Sequence, residues 1–269
     1  MLRNILFTLL PKVALSRACG LLCSTPLPRA VRSRLFRWFS ARYGVNLDEA
    51  GVEPADCRSL QLFFRRPLRP GVRPIAAAKL VWPCDGRIVS TGPVHGGRIE
   101  QVKGNDYALA DLLGDAELAR ALEGGSQATI YLAPGDYHRV HAPFAATIER
   151  VRALPGTLFP VNPPAVRGIP RLFARNSRHV FDCRLRDGSA AAIVMVGAYN
   201  VGGTTLTRNG GGVAPGDEIG QFGFGSTVVA VVGPGAARFL AADAESLVRM
   251  GADATERGSP ERTAPRPAG

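Results

Sequence analysis

Residues 220–233 read GQFGFGSTVVAVVG, and the reading of this stretch decides the fold. After a Gly-rich lead-in, Thr227, Val228, Val229, Val231 and Val232 are β-branched and uncharged. Side chains of that shape suit a pleated strand, and a run without polar alternation suits one buried on both faces. Working outward, the same pattern recurs. AAAIVMVGAYNVG (190–202), VFDCRL (180–185), ATIERVRAL (146–154) and QATIYLA (127–133) are short apolar runs set off by turn residues. So are GRIEQVK (97–103), GRIVSTGPV (86–94) and LVWP (80–83). One helix stands out among them, ALADLLGDAELARAL (108–122), with leucines near helical spacing. Regularly spaced strands with turn signals predict an α+β fold, a β-rich, sandwich-like domain.

With 31 Gly and 21 Pro among 269 residues, the chain favours turns and short strands over a helical bundle. Its length suffices for one sizeable core. The cysteines (Cys19, Cys23, Cys57, Cys84 and Cys183) are odd in number and form no Cys-x-x-Cys. That pattern argues for a reduced, cytoplasmic-side setting and against zinc held by cysteine. A formal net charge of +11 suits an anionic partner, either nucleic acid or a membrane surface.

The placement of charge separates those two. The first 47 residues hold eight Arg or Lys and no acid. In MLRNILFTLLPKVALSRACGLL (1–22) the apolar residues lie at helical spacing, but their run falls short of the ~20 residues a spanning helix needs. Basic residues continue among Leu, Phe and Trp through VRSRLFRWFSARYG (31–44), as in a helix lying in a membrane interface. The alternative is an amphipathic helix packed on its own domain. Three segments are expected: an N-terminal basic amphipathic helical region for membrane association (1–60), a β-rich catalytic domain (61–250) and a disordered tail (251–269), which is Pro-rich, charged and poor in apolar residues.

Three places carry candidate chemistry. APGDYHRVHAPFAATI (133–148) holds Asp136, His138 and His141, and the two histidines are half of the chain's four. An i, i+3 His pair on a helix could share a metal, but Pro134, Gly135 and Pro143 bracket it, so the imidazoles are expected to diverge and do separate work. WPCDGRIVS (82–90) puts Asp85 in an Asp-Gly turn, ordinary turn chemistry unless the acid orients a histidine. Gly225-Ser226 is not a nucleophile elbow, because a strand-like run follows. As structure it is a bend into a strand. As chemistry, Gly before Ser lets Oγ approach the preceding carbonyl, so that an N→O acyl shift and elimination cut the chain and leave a pyruvoyl group. Asp85, His141 and Ser226 then form a candidate acid–base–nucleophile set.

Taken together, these stretches resemble the phosphatidylserine decarboxylase family of self-processing pyruvoyl enzymes. RNILFTLLPK (3–12), FFRRPLRPGVRPI (63–75), PCDGRIVS (83–90), VKGNDYALADLLG (102–114) and YLAPGDYHRVHAP (131–143) occur in family order. PGTLFPVNPPA (155–165), LFARNSRHV (172–180), GAYNVGG (197–203) and GDEIGQFGFGSTVV (216–229) continue it. DYHRVHAP together with FGST is the specific combination. Phe224 stands where the family often has Leu, Ser177 where it often has Glu, and the loop RNGGGVAPG (208–216) is shorter than in some relatives.

The resemblance implies cleavage between Gly225 and Ser226, giving a β chain (1–225) and an α chain (226–269) that opens with pyruvoyl. It implies that Asp85, His141 and Ser226 carry out self-processing with His141 as base. His138 then serves decarboxylation as a proton donor, and Asp136 supports the histidine segment. The pyruvoyl group made from Ser226 takes the substrate amine as a Schiff base and holds the electrons left by CO₂. No metal and no diffusible cofactor are expected. The implied substrate is phosphatidylserine in an anionic phospholipid membrane, and the implied product phosphatidylethanolamine. A homodimer and a place peripheral to the cell membrane, on its cytoplasmic face, are family expectations. Nucleic acid is not an expected partner, since the aromatics cluster with Leu at the N-terminus. Two other readings compete: a triad hydrolase or zinc peptidase, and a non-catalytic basic binding module. In both the chain stays whole.

Overall fold

The structure is a computed structural model that describes residues 20–198, 203–223 and 226–256. Helices α1 (Arg29–Tyr43) and α2 (Leu60–Phe64) come first, followed by strands β1 (Gly86–Pro93), β2 (Arg98–Val102) and β3 (Asn105–Ala108). Next come α3 (Leu109–Leu113), α4 (Ala116–Ala121), β4 (Ser126–Leu132), β5 (Arg139–His141) and β6 (Ala146–Leu154). Helices α5 (Pro163–Gly168) and α6 (Leu172–Arg175) lead into β7 (Arg178–Leu185) and β8 (Ala190–Gly197). The last strands are β9 (Thr205–Leu206), β10 (Gly211–Val213), β11 (Glu218–Gln221), β12 (Ser226–Val232) and β13 (Leu247–Val248).

One eight-stranded sheet runs β10-β6-β7-β8-β12-β4-β1-β13, with every pairing antiparallel. A three-stranded sheet, β5-β11-β9, joins one face, and β2-β3 forms a small hairpin. The run that opened the sequence reading is β12, and its uniform apolarity has a clear cause. Val228, Ala230 and Val232 pack with Val140 and Ala142 around β5 and Ile219 of β11. Val229 and Val231 pack on the other face with Leu109, Leu112 and Leu113 of α3 and Phe173 of α6. Both faces are covered, so every residue of β8 and β12 is buried. Each such valine contributes on the order of 1.5–3 kcal/mol. This is the α+β, sheet-rich fold expected, with a small sheet on one side and helices on the other.

Three expectations are corrected. The helix predicted over 108–122 is two helices. Gly114 ends α3 in the left-handed region (φ 61°), and the Asp115 carboxylate caps α4 by accepting from Glu117 N and Leu118 N. LVWP is not a strand, and Val81 makes only an isolated bridge with Asp253. That bridge also shows that the disordered tail begins too early at 251. Trp82 N donates to Ala252 O at 2.9 Å, Ala254 N to Leu80 O at 2.9 Å, and Ala254 is fully buried. Residues 257–269, and 1–19 of the N-terminal region, lie outside the described residues.

The expected boundary at 60/61 runs through a packed cluster. Phe36 and Phe39 of α1 meet Phe63 and Phe64 of α2, and the Phe36 and Phe63 rings stack at 4.8 Å. The helix α1 thus packs on its own domain, yet it leaves Trp38 60% exposed.

Candidate active site

β4 ends at Leu132, and the chain turns through 133–138 into β5. The Asp136 carboxylate accepts from Ala133 N at 2.7 Å and closes that turn. On one side of the turn Leu132 pairs with Ser226. On the other, Phe222 N donates to His138 O at 2.9 Å. The connection from Phe222 to Ser226 is therefore anchored at both ends to the histidine segment. Gly225, with the carbonyl expected to be attacked, lies outside the described residues, as does Phe224.

Ser226 begins β12 between Leu132 of β4 and Gly197 of β8 and is fully buried. By strand alternation it faces the same side as Val228, the side that holds β5 and β11. Its Oγ has no hydrogen-bond partner among the described residues, and neither has Thr227 Oγ1 on the opposite face. An unpaired buried hydroxyl costs about 1–3 kcal/mol, so two in succession at a strand start call for a reason.

His138 is also fully buried, with its ring centroid 3.9 Å from that of Phe64. Its Nδ1 lies 2.9 Å from Asp136 O. A carbonyl only accepts, so Nδ1 carries the proton and Nε2 presents a lone pair with no partner among the described residues. Burial pushes the imidazole pKa down to about 3, against the opposing pull of the Asp136 carbonyl. The resting ring is therefore a neutral base, and it holds no proton at Nε2 to donate. His141, on β5, has Nδ1 2.8 Å from Gly216 O, and its Nε2 accepts from Tyr137 Oη at 3.2 Å. Burial lowers its pKa too, opposed by the Gly216 carbonyl.

The expected link between Asp85 and His141 is not made. His141 N donates to Pro83 O at 2.8 Å, which brings the two residues close, but the Asp85 carboxylate turns to Arg73. Arg73 Nε donates to Oδ1 at 3.0 Å and Nη2 to Oδ2 at 2.6 Å, while Met250 N donates to Oδ1 at 2.8 Å. A forked guanidinium is the stronger partner. Asp85 acts on His141 only through its charge. Asp136 is close enough to Asp85 to feel it, and burial first, then that neighbour, raise its carboxyl pKa.

The N-terminal segment completes the site. Arg65 donates to Phe222 O (3.1 Å), Thr205 Oγ1 (2.9 Å) and Gly203 O (2.8 Å). Arg66 donates to Gly135 O at 3.0 Å. Phe64, Arg65, Arg66, Arg73 and Tyr137 are not candidates on sequence pattern alone. The signal was FFRRPLRPGVRPI, where paired arginines follow paired aromatics in a Pro-rich stretch. A cavity of about 250 Å³ lies beside Arg66, Arg73, Asp85, Asp136 and Tyr137. Among the described residues, no group of three or more His, Cys, Asp or Glu could hold a metal ion.

The family model described as phosphatidylserine decarboxylase matches residues 60–255. A phosphatidylserine decarboxylase proenzyme of Anaeromyxobacter sp. (strain K) is 44% identical over 252 residues, covering 86% of this chain and 89% of the relative. That of Acidovorax ebreus (strain TPSY) is 40% identical over 267 residues (90% and 93%), and that of Chromobacterium violaceum 39% over 265 (90% and 94%).

Proposed function

The chain belongs to the phosphatidylserine decarboxylase family, and from that premise we propose that it is a proenzyme that cuts itself between Gly225 and Ser226 and then converts phosphatidylserine to phosphatidylethanolamine and CO₂. One observation carries the reading: a buried, unpaired Ser226 hydroxyl heads a central strand whose lead-in is anchored to the segment bearing two neutral histidines. A hydroxyl so placed fits a residue destined to be consumed, since a permanent side chain there gains nothing from its oxygen.

In self-processing, His141 Nε2 takes the Ser226 proton as Oγ bonds to the Gly225 carbonyl carbon. His141 passes that proton to the Ser226 nitrogen as the C–N bond breaks, so that an ester and a free amine replace the amide. Tyr137 holds that lone pair until the serine needs it. Loss of the Ser226 α-proton expels the Gly225 carboxylate and cuts the chain, and hydrolysis of the resulting enamine releases ammonia. A pyruvoyl group in this position supplies an electrophilic carbonyl that accepts an amine and the electron pair left by CO₂. His138 Nε2, a lone pair at rest, takes a proton from the incoming substrate ammonium and frees its nitrogen. It returns that proton to the carbon from which CO₂ departs. His138 is thus base first and acid second. Asp136 holds the turn that aims it, and its backbone carbonyl fixes the tautomer.

The acid that the hydrolase reading would use to orient its base, Asp85, is committed to Arg73. Among the described residues no helix is long and apolar enough to cross a membrane. Exposed Leu21, Leu22 and Trp38 beside a basic helix support attachment at the surface of the cell membrane. The cytoplasmic face suits the buried thiols of Cys57, Cys84 and Cys183.

Intact mass under denaturing conditions tests the reading. The expected result is two chains, the smaller starting at position 226 with a ketone-bearing end that reacts with hydroxylamine. Active material that stays a single chain of 28.5 kDa would overturn it.

A further inference from the structure

Arg66 joins α2 to the turn that carries His138, and only 3% of it is exposed. Its Nη2 donates to Gly135 O at 3.0 Å and reaches Asp136 O at 3.4 Å. Nε and Nη1 are buried with no partner among the described residues. Taking a cation out of water costs several kcal/mol, of which the two carbonyls and the Phe63 ring, 5.6 Å from the guanidinium carbon, offset a part and an anion would offset more. The nearby acids are already engaged. Asp85 and Glu49 both pair with Arg73, Glu49 pairs also with Arg249, and the Asp136 carboxylate closes its own turn. Arg66 lines the cavity of about 250 Å³ that opens towards the end of α1. That volume suits a lipid headgroup, with the acyl chains left outside.

We propose that Arg66 binds the phosphodiester of the substrate phospholipid, an assignment that rests on reading this site as an aminophospholipid decarboxylase. The headgroup offers a second anion, the carboxylate, but physical chemistry selects between the two. The carboxylate loses its charge as CO₂ forms, so an arginine paired with it stabilises the ground state more than the transition state. The phosphodiester keeps its charge throughout, and its paired oxygens match the guanidinium fork. Occupancy has a second effect. Arg66 is one of the groups that disfavour a proton on His138, and an anion on Arg66 removes that opposition when Nε2 must take one.

Calorimetric binding to borohydride-reduced, processed enzyme tests this. Dihexanoylphosphatidylethanolamine carries the phosphodiester and no carboxylate; dihexanoylphosphatidylserine carries both. Arg66→Gln is expected to weaken binding of both lipids by about tenfold or more, and Arg66→Lys by less, because charge remains while the fork is lost. A wild-type comparison covers a variant that fails to fold: the uncharged methyl phosphotriester of the ethanolamine lipid is expected to bind about tenfold or more weakly than the diester. Equal affinity for diester and triester overturns the proposal. So does a loss in Arg66→Gln confined to the serine lipid, which assigns Arg66 to the carboxylate. If the chain proves uncut and without decarboxylase activity, the mechanism falls, whereas the same lipids titrated into the uncut wild-type and Arg66→Gln chains still decide whether Arg66 binds the phosphodiester.

Discussion

At the scale of single residues, burial sets what each histidine does. An unfolded histidine titrates near 6.5, whereas His138 in the fold titrates at about 3. Between those values the unfolded chain binds a proton that the folded chain refuses. Stability from this residue is therefore complete above the unfolded value and is lost as pH falls towards the folded one, by about 1.4 kcal/mol per pH unit. In an uncut Ser226→Ala background, His138→Gln is expected to flatten the fall in urea midpoint between pH 6.5 and 4. Parallel slopes in the two proteins would show that His138 is not a buried neutral base. The histidines also separate by function. Ser226→Ala is expected to abolish both cleavage and decarboxylation, and His141→Ala to block cleavage. His138→Ala is expected to cleave and then turn over slowly, by about 10²-fold or more. A gel time course with a CO₂-release assay checks all three, and normal processing of His141→Ala would reverse the two assignments. The sequence made these residue identities legible, but not their partners. Nothing within WPCDGRIVS announces that Asp85 answers to Arg73 rather than to His141, because that pairing forms only when the chain folds.

At the scale of elements, legibility followed burial on two faces. β8 and β12 were plain because both of their sides are covered, which forces uninterrupted apolar text. β10 (GGV) and β11 (EIGQ) were hidden, since short Gly-bearing strands carry almost no period. The division of the 108–122 helix could have been read from Gly114-Asp115, a left-handed end followed directly by an N-cap. The least legible element was α2, whose five residues deliver Phe64 to His138 and lead straight into Arg65. Arg65 ties Phe222, just ahead of the proposed scissile bond, to Gly203 and Thr205. If that tether presents the Gly225 carbonyl to Ser226, Arg65→Met should slow self-cleavage by about tenfold or more, with a smaller effect on the turnover of whatever enzyme has been cut. The split is the informative readout. Equal losses in both rates, with a lower melting temperature, would reduce Arg65 to a structural fastener.

At the scale of the whole molecule, the net charge of +11 is concentrated in residues 1–75, which hold 13 Arg or Lys against four Asp or Glu. Helix α1 buries Phe36 and Phe39 inward and sends Arg29, Arg34, Arg37 and Arg42 out, with Trp38 among them. Leu21 and Leu22 stand 71% and 75% exposed just before it. The same N-terminal segment ends in α2, Arg65 and Arg66, so the surface proposed to meet the bilayer and the arginine that lines the cavity belong to one stretch of chain. On the proposed membrane-peripheral reading two forces hold the protein at a bilayer, and salt separates them. Each basic residue near an anionic surface contributes on the order of 1 kcal/mol, and that share fades as the screening length shrinks from about 10 Å at 0.1 M to about 3 Å at 1 M salt. The apolar share of Trp38, Leu21 and Leu22 does not fade. In vesicle co-sedimentation, binding to phosphatidylglycerol-rich membranes should exceed binding to phosphatidylcholine alone and should fall, but not vanish, at high salt. Trp38→Ala should remove much of the salt-resistant remainder while leaving self-cleavage intact, because that side chain faces away from the Phe36–Phe63 stack. Equal binding to both membranes at low salt would mean that the charge serves something other than an anionic bilayer.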